Sequence, residues 1–103
     1  MLESKYQTQL IDTLRERFPG CVIMKNDASY QQGFLDLTIF WCRCWAALEV
    51  KGSIDAVLQP NQEYFVEKLD EMSFAAIICP ENEEEVLTAL QETFASRGCA
   101  RVS

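Results

Sequence analysis

The chain has 103 residues, a formal net charge of −7 and 49% hydrophobic residues. This length supports one domain, 1–103, with one modest core, and the composition is that of an ordinary globular protein. No stretch comes near the roughly 20 consecutive apolar residues of a membrane span, and no secretory signal begins the chain, so we expect a cytoplasmic protein without a membrane partner. The chain holds no histidine, which excludes Ser-His and Cys-His catalysis.

The negative charge is distributed unevenly, which bears on whether nucleic acid is a partner. Residues 1–60 carry six basic and seven acidic side chains, whereas residues 61–103 carry three basic and nine acidic ones. Acidic side chains are concentrated between 81 and 85. A phosphate-binding surface is therefore expected in the first half, and binding there should weaken with salt. The acidic second half favours contact with a protein.

Five cysteines occur at spacings that fit no disulfide framework. Three of them lie in apolar runs, where a free cysteine behaves as a small buried hydrophobic residue. Cys42 and Cys44 are the only close pair in the sequence. Without histidine and without a second close pair, we do not expect a structural zinc site.

Hydrophobic periodicity and turn residues predict the order α-β-β-β-α-β-α. The first helix is predicted from Glu3; a capping box of Ser4 and Gln7 is a second possibility that would leave Glu3 just outside the first turn. The order is that of an α/β fold with a mixed sheet flanked by helices, with a core over about 3–94 and a tail at 96–103 that is either frayed or an edge strand. The predicted elements are a helix at 3–18, strands at 21–24, 34–41 and 45–51, a helix at 60–72, a strand at 74–79 and a helix at 80–94.

Two features refine this prediction. Pro60 is suited to the first turn of the second helix, because its missing N–H has no partner there. The strand at 74–79 is continuously apolar, which predicts a central position in the sheet, where both faces are covered.

The strands at 34–41 and 45–51 form a predicted hairpin with a two-residue turn at 42–43. The turn lacks the favoured Asn-Gly pair, but continuing the pairing outward from it puts Asp36 directly opposite Glu49. Opposed residues share a face, and a slip of one residue would mix apolar and polar side chains, so the pattern supports this register. The apolar face is predicted to hold Leu35, Leu37, Ile39 and Trp41 with Cys44, Ala46, Leu48 and Val50.

Two carboxylates opposed across strands destabilise a sheet unless a cation offsets them. Lys51, two residues after Glu49 on the same face, is one candidate, and a bound Mg²⁺ is the other. Hard oxygen ligands with incomplete protein coordination suit Mg²⁺, and Mn²⁺ should be able to substitute. Carboxylates and a lysine around such an ion can activate water and stabilise charge on a phosphate. The alternative is an ordinary solvated strand, because an exposed ion pair contributes only about 0–1 kcal/mol.

These residues resemble the PD-(D/E)XK nuclease superfamily. Within it, the chain looks like small phage and archaeal Holliday-junction resolvases and stand-alone VRR-NUC domains, and the segments 25–27 and 59–65 also look like phage members. The resemblance covers about residues 3–94 and implies a restriction-endonuclease-like core. The matching pieces are Gly33-Phe34-Leu35-Asp36-Leu37, Leu48-Glu49-Val50-Lys51-Gly52 and Glu3 on the first helix.

The resemblance implies a catalytic or metal-binding role for five residues. Asp36 and Glu49 would bind the catalytic metal, with the Val50 carbonyl as the third ligand. Lys51 would orient or deprotonate the attacking water. Glu3 would complete the acidic cluster or hold a second metal; the alternative for Glu3 is a helix-start residue favoured by the dipole.

The resemblance also implies a glutamine at the site. Gln62 would contact it from the second helix, as the glutamine of VRR-NUC domains does, and Gln59 is the competing assignment; a solvated helix residue is the alternative for Gln62. One departure from the family pattern is Leu35, which stands where the motif has proline. That proline shapes the backbone rather than donating a ligand, so we expect activity to survive its absence.

Three residues are candidates for DNA contact: Lys25 at a strand end, Tyr30 in the loop before the motif, and Gln59. Ordinary exposed residues are the alternative for each. The aromatic residues near the hairpin turn are predicted to belong to the core or to a dimer interface rather than to a base-stacking platform; they are Phe40, Trp41 and Trp45.

The function implied by the resemblance is a Mg²⁺-dependent, structure-specific DNA endonuclease of the Holliday-junction-resolvase type. Relatives of this kind hydrolyse in line, leave a 5′-phosphate and act as homodimers because paired cuts need two sites. The gene would then be phage-encoded in a bacterial host. One alternative is a VRR-NUC-type nuclease on flaps or other branched DNA; another is a catalytically silent nucleic-acid or protein-binding module on the same fold.

Overall fold

A computed structural model describes residues 1–27 and 29–99 of the chain. Its elements follow the order α-β-β-β-α-β-α, so the predicted order is confirmed. At most ends of these elements, the predicted bound differs from the observed one by one to three residues. The elements are α1 (Glu3–Arg17), β1 (Val22–Lys25), β2 (Leu37–Trp41), β3 (Cys44–Val50), α2 (Gln62–Met72), β4 (Ala75–Ile78) and α3 (Glu83–Ser96).

The strands form a mixed four-stranded sheet in the order β1-β2-β3-β4. The pairs β1–β2 and β2–β3 are antiparallel, whereas β4 runs parallel to β3. The prediction that the apolar strand at 74–79 is central was wrong, because β4 is an edge strand of the described sheet. Its continuous apolar run has another cause: helices pack on both of its faces.

The helices cover the two faces of the sheet unequally. On one face, α1 and α3 pack over β2, β3 and β4 and enclose the larger apolar core. On the other face, α2 packs mainly over β3 and β4, with a smaller cluster around Leu35, Ala47 and Ala75. The β1–β2 half of that face is left with exposed apolar side chains, namely Val22, Met24 and Phe40.

Two helix starts differ from the prediction. The capping box of Ser4 and Gln7 was wrong, because α1 begins at Glu3 after Leu2, without a side-chain cap. Pro60 does not lie in the first turn of α2, which begins two residues later at Gln62 after Asn61 in the left-handed conformation. Asparagine tolerates this conformation better than most residues, and the bend it makes aims the start of α2 at the sheet.

The predicted two-residue turn of the hairpin is confirmed, since Trp41 pairs with Cys44. Cys42 has φ 59°, a value that glycine adopts readily and that costs other residues energy. Trp41 packs against Phe18 and Phe94 in the core, whereas Phe40 is exposed. After α3, the chain turns so that Cys99 is buried against the hairpin; positions 100–103 of the predicted tail lie outside the described residues.

Within residues 1–27 and 29–99, no helix has the length and apolar character needed to cross a bilayer.

Candidate active site

The hairpin register agrees with the prediction from the turn as far as the pair Leu37–Leu48. One residue earlier, the chain bends at Asp36 and leaves the ladder. The predicted pairing of Asp36 with Glu49 is therefore absent from the register. Leu35 is also on the other side of the sheet from its predicted place, because it packs with Ala47 beneath α2.

The bend nevertheless brings the Asp36 carboxylate to the end of β3. Its Oδ2 accepts a hydrogen bond from the backbone N–H of Val50 at 2.8 Å. Asp36 is also close enough to Glu49 for its charge to raise the pKa of the Glu49 carboxyl group. The Asp36 side chain thus reaches the end of β3 through its hydrogen bond to Val50 rather than through strand pairing.

Glu49 is the most deeply buried acid near this end of the hairpin, with 1% of its surface exposed. Its Oε2 lies 3.3 Å from Nζ of Lys51 and accepts a hydrogen bond of 2.6 Å from Nε2 of Gln62. Its other oxygen, Oε1, is equally buried but has no hydrogen-bond donor among the described residues. A buried carboxylate oxygen without a partner is costly, so this atom points to a ligand that the protein alone does not provide.

The surroundings of Glu49 alter its acidity. Burial and then the charge of Asp36 raise the pKa of Glu49 to about 7, although the ammonium of Lys51 acts in the opposite direction. Lys51 is itself only 6% exposed and borders a cavity of about 260 Å³ under the segment 53–58. The site therefore combines two interacting acids and a buried cation beside a cavity.

The second helix contributes Gln62 in the manner that the resemblance implies. Nε2 of Gln62 donates to Glu49, and Oε1 of Gln62 accepts from the backbone N–H of Gln59 at 2.7 Å. The amide is thereby held at both ends. Of the two competing glutamines, Gln62 contacts the acid with its side chain, whereas Gln59 is exposed and contributes its backbone.

Two glycines allow the close packing of backbone around the site. A Cβ on Gly33 would lie 2.5 Å from the Pro60 carbonyl oxygen, so the loop before Asp36 packs directly on the start of α2. A Cβ on Gly52 would lie within 2.5 Å of the Met1 carbonyl oxygen, so the chain after Lys51 packs on the start of α1. Larger residues at either position would push these elements apart.

Asn26 supports the site in a way that the sequence did not reveal. Its Nδ2 donates to the carbonyl of Leu35 and to Oγ1 of Thr38, both at 2.9 Å. These bonds tie the end of β1 to the bend that positions Asp36. The residue lies in a polar segment of the sequence, and only the folded chain shows what its amide contacts.

Two predicted metal ligands are placed less decisively. Glu3 begins α1 next to Gly52, but its side chain is exposed. Within residues 1–27 and 29–99, no three acidic or cysteine side chains form a group suited to a metal, and metal ligation by Glu3 stays a prediction. Val50 contributes its N–H to Asp36, and metal ligation by its carbonyl stays a prediction.

The predicted DNA-contacting residues lie at the surface. Lys25 ends β1 and is exposed, and Tyr30 is 91% exposed. Tyr30 borders a cavity of about 500 Å³ between the loop before Asp36 and the helix that carries Gln62. The cavity has three aromatic residues and two amides among its lining residues, which are Asn26, Asp27, Tyr30, Gln31, Phe34 and Phe65.

The donor set fits a hard divalent cation. The free Oε1 of Glu49 and the Asp36 carboxyl are oxygen ligands of the kind that Mg²⁺ takes, and Mg²⁺ needs only one or two carboxylates from the protein. A cation between the two acids would also relieve their mutual repulsion. The two carboxyl groups and the buried Oε1 of Glu49 therefore suit Mg²⁺ or Mn²⁺ better than a softer ion.

No family model, no curated protein and no solved structure matches this chain. The resemblance to the PD-(D/E)XK superfamily therefore stays a prediction that rests on the residues themselves.

Proposed function

We propose that this chain is a Mg²⁺-dependent endonuclease that hydrolyses phosphodiester bonds in branched DNA, on a restriction-endonuclease-like core of the PD-(D/E)XK kind. The carrying observation is the buried Glu49, which has one oxygen held by Lys51 and Gln62 and the other without a donor among the described residues. Asp36 beside it supplies a second carboxylate. Two carboxylates beside a lysine can hold a divalent cation next to a scissile phosphate, which is what metal-assisted phosphodiester hydrolysis uses.

In this proposal, Asp36 and Glu49 hold Mg²⁺, with the Val50 carbonyl and Glu3 as additional ligands. When bound, Mg²⁺ supplies Lewis-acid activation of the attacking water and neutralises charge on the scissile phosphate. Glu3 would have to turn its exposed side chain inward. Its backbone already lies beside Gly52, the residue that follows Lys51.

The remaining groups of the site position the attacking water and the Glu49 carboxylate and stabilise charge on the phosphate. The Lys51 ammonium, buried beside Glu49, orients the attacking water and stabilises the negative charge that develops on the phosphate. Gln62 holds Oε2 of Glu49 and so keeps Oε1 turned toward the cation. Attack by water in line with the 3′ oxygen as the leaving group would leave a 5′-phosphate.

A homodimer accords with the proposal, because resolving a four-way junction takes two cuts. Val22 and Phe40 pair across β1 and β2, and with Met24 they expose apolar surface on the half of the sheet that α2 does not cover. β1 is also an edge strand of the described sheet, and such edges pair readily with a second chain. Sedimentation of the chain at micromolar concentration measures the oligomeric state directly.

The test is cleavage of a panel of four-way junction, flap, single-stranded and duplex DNA with Mg²⁺ or Mn²⁺. We expect wild-type protein to cut branched DNA and a chelator to stop it. Asp36→Asn and Glu49→Gln should each lower the rate at least about a hundredfold, the scale of losing one charge-stabilising group. Asp55→Asn, an exposed acid in the loop after Lys51, is the matched control and should cut as wild type does.

The outcome also separates the alternatives. Equal cutting by wild type and both variants would overturn the assignment of the site. Binding of branched DNA without cutting in either ion would favour the catalytically silent module. A protein-binding role of such a module is supported by the acidic start of α3, which suits contact with a protein.

A preference for flaps would favour the VRR-NUC-type activity instead. The aromatic cavity beside Tyr30 supports this second candidate, since unpaired bases stack on aromatic side chains and bond to amides.

A further inference from the structure

Three of the five cysteines gather at the turn of the β2–β3 hairpin, far along the strands from the carboxylates. Cys42 lies in the exposed turn, Cys44 begins β3, and Cys99 follows α3. Sγ of Cys44 lies 3.3 Å from Sγ of Cys99. The Cys99 thiol also donates to the carbonyl oxygen of Trp41 at 3.6 Å. All five thiols are free in the described part of the chain.

We propose that Cys44 and Cys99 are an oxidisable thiol pair that closes to a reversible disulfide when the protein meets a peroxide. The two sulfurs are already in van der Waals contact and need to approach by roughly 1 Å to reach a bond of ~2.05 Å. The bond would join the chain after α3 to the hairpin, two parts that are 55 residues apart in sequence.

The surroundings of Cys99 favour it as the attacking sulfur. It accepts hydrogen bonds from the backbone N–H of Arg43 at 3.4 Å and from the thiol of Cys44. The neighbouring Cys42 thiol and these two hydrogen bonds lower the pKa of Cys99, although burial acts in the opposite direction, whereas burial raises the pKa of Cys44. The thiolate is the reactive form of cysteine, which makes Cys99 the better nucleophile of this buried pair.

The chemistry balances with hydrogen peroxide as the oxidant. The Cys99 thiolate attacks one peroxide oxygen, so that an S–O bond forms, the O–O bond breaks and hydroxide leaves. The Cys44 sulfur then attacks Cys99, an S–S bond forms, the S–O bond breaks, and the oxygen leaves as water with the thiol proton. Two thiols and one peroxide thus become one disulfide and two waters, and a dithiol reductant reverses the change.

A metal site is the main competing use of three thiols. Within residues 1–27 and 29–99, these cysteines do not form a group suited to a metal ion. The distance between the two buried sulfurs suits bond formation better, because thiolates around a zinc ion are each held ~2.3 Å from the metal and stay apart from one another.

The test is peptide mapping of the full chain after treatment with hydrogen peroxide and blocking of the remaining thiols. Trypsin cleaves after Arg43 and after Arg97, so each of the five cysteines falls in a peptide of its own. We expect the peptide 44–51 linked to the peptide 98–101, a loss of two hydrogens from the intact mass, and recovery of both thiols with dithiothreitol. The oxidised chain should also unfold at a higher temperature, because the bond closes a long loop.

Variants make the outcome decisive. Cys44→Ser and Cys99→Ser should abolish the linked peptide, whereas Cys42→Ser and the matched control Cys21→Ser should keep it. Circular dichroism of each variant confirms that it folds. Four outcomes would each overturn the proposal. They are five thiols that are still reduced after peroxide, a disulfide through Cys42 in place of Cys44, disulfides only between chains, and one zinc ion that protects all three thiols. Since this pair lies at the other end of the hairpin, none of these outcomes bears on DNA cleavage.

Discussion

The two ends of the β2–β3 hairpin carry opposite kinds of chemistry. At the open end, Asp36 and Glu49 bring hard oxygen atoms together beside Lys51. At the turn end, Cys44 and Cys99 bring soft sulfur atoms together. Both groups draw on sequence-distant elements, with α2 joining the first and the chain after α3 joining the second.

This difference leads us to expect a different partner at each end. Carboxylates that repel one another are stabilised by a hard cation, whereas two thiols in contact can be oxidised to a disulfide. A change at one end should therefore leave the chemistry of the other unaltered, since neighbouring sites couple but separated ones add.

The largest effect should come from Lys51→Met at the open end. We expect cleavage of branched DNA to fall about a hundredfold or more, because the charge that stabilises the phosphate is lost, while DNA binding changes only a few-fold. Single-turnover cleavage and fluorescence anisotropy measure the two quantities. Lys68→Met changes an exposed lysine on α2 and is the matched control. Both Lys68→Met and Cys44→Ser should cut as wild type does. A loss in Cys44→Ser equal to that in Lys51→Met would mean that the two ends are not independent.

The next effect concerns stability against pH. Glu49 has a folded pKa of about 7, above its ordinary 4.5, so the folded state holds an extra proton between these values and stability is lost as pH rises through 7. We expect this one group to lower the free energy of unfolding by about 2 kcal/mol between pH 5 and pH 8. Glu49→Gln should remove that slope.

Urea unfolding across this pH range, without divalent ions, measures the slope in both proteins. Mn²⁺ at millimolar concentration should restore wild-type stability at pH 8, because cation binding needs the deprotonated acid, and should leave Glu49→Gln unchanged. The same slope in wild type and variant would show that Glu49 is not the titrating group.

The smallest effect is expected at the turn. Cys42→Gly should raise the free energy of unfolding by about 1 kcal/mol, since Cys42 holds φ 59° and glycine adopts that conformation without strain. Thermal unfolding under reducing conditions measures the change. Arg43→Gly, at the neighbouring turn position without a positive φ, serves as the comparison and should not stabilise; a loss of stability in Cys42→Gly would contradict the strain.

Much of the fold could be predicted because local patterns were strong. The helical spacing of apolar residues in 3–18 and the alternation in 44–51 marked α1 and β3, and the turn at 42–43 set the register of the hairpin. The position of β4 could not be predicted in this way. An apolar strand is equally consistent with the centre of a sheet and with an edge that helices cover on both faces, and only the packing distinguishes them.

The candidate site was predictable in its members and less so in its geometry. Asp36, Glu49 and Lys51 were singled out by spacing across a hairpin, and their convergence was expected from strand pairing. The structure brings Asp36 in through a bend and a side-chain hydrogen bond instead. The support from Asn26 and the close approach of Gly33 to α2 depend on contacts between segments that no local pattern encodes.

By itself, the sequence determined the order of the elements, the register of the hairpin and the acids at its open end, because these follow from periodicity and turn length over short stretches of chain. Only the tertiary structure decided that Gln62 rather than Gln59 contacts Glu49, and that Cys44 meets Cys99. The physical reason is that such contacts depend on how whole elements pack, and the sequence separation of the partners carries no signal of their distance in space.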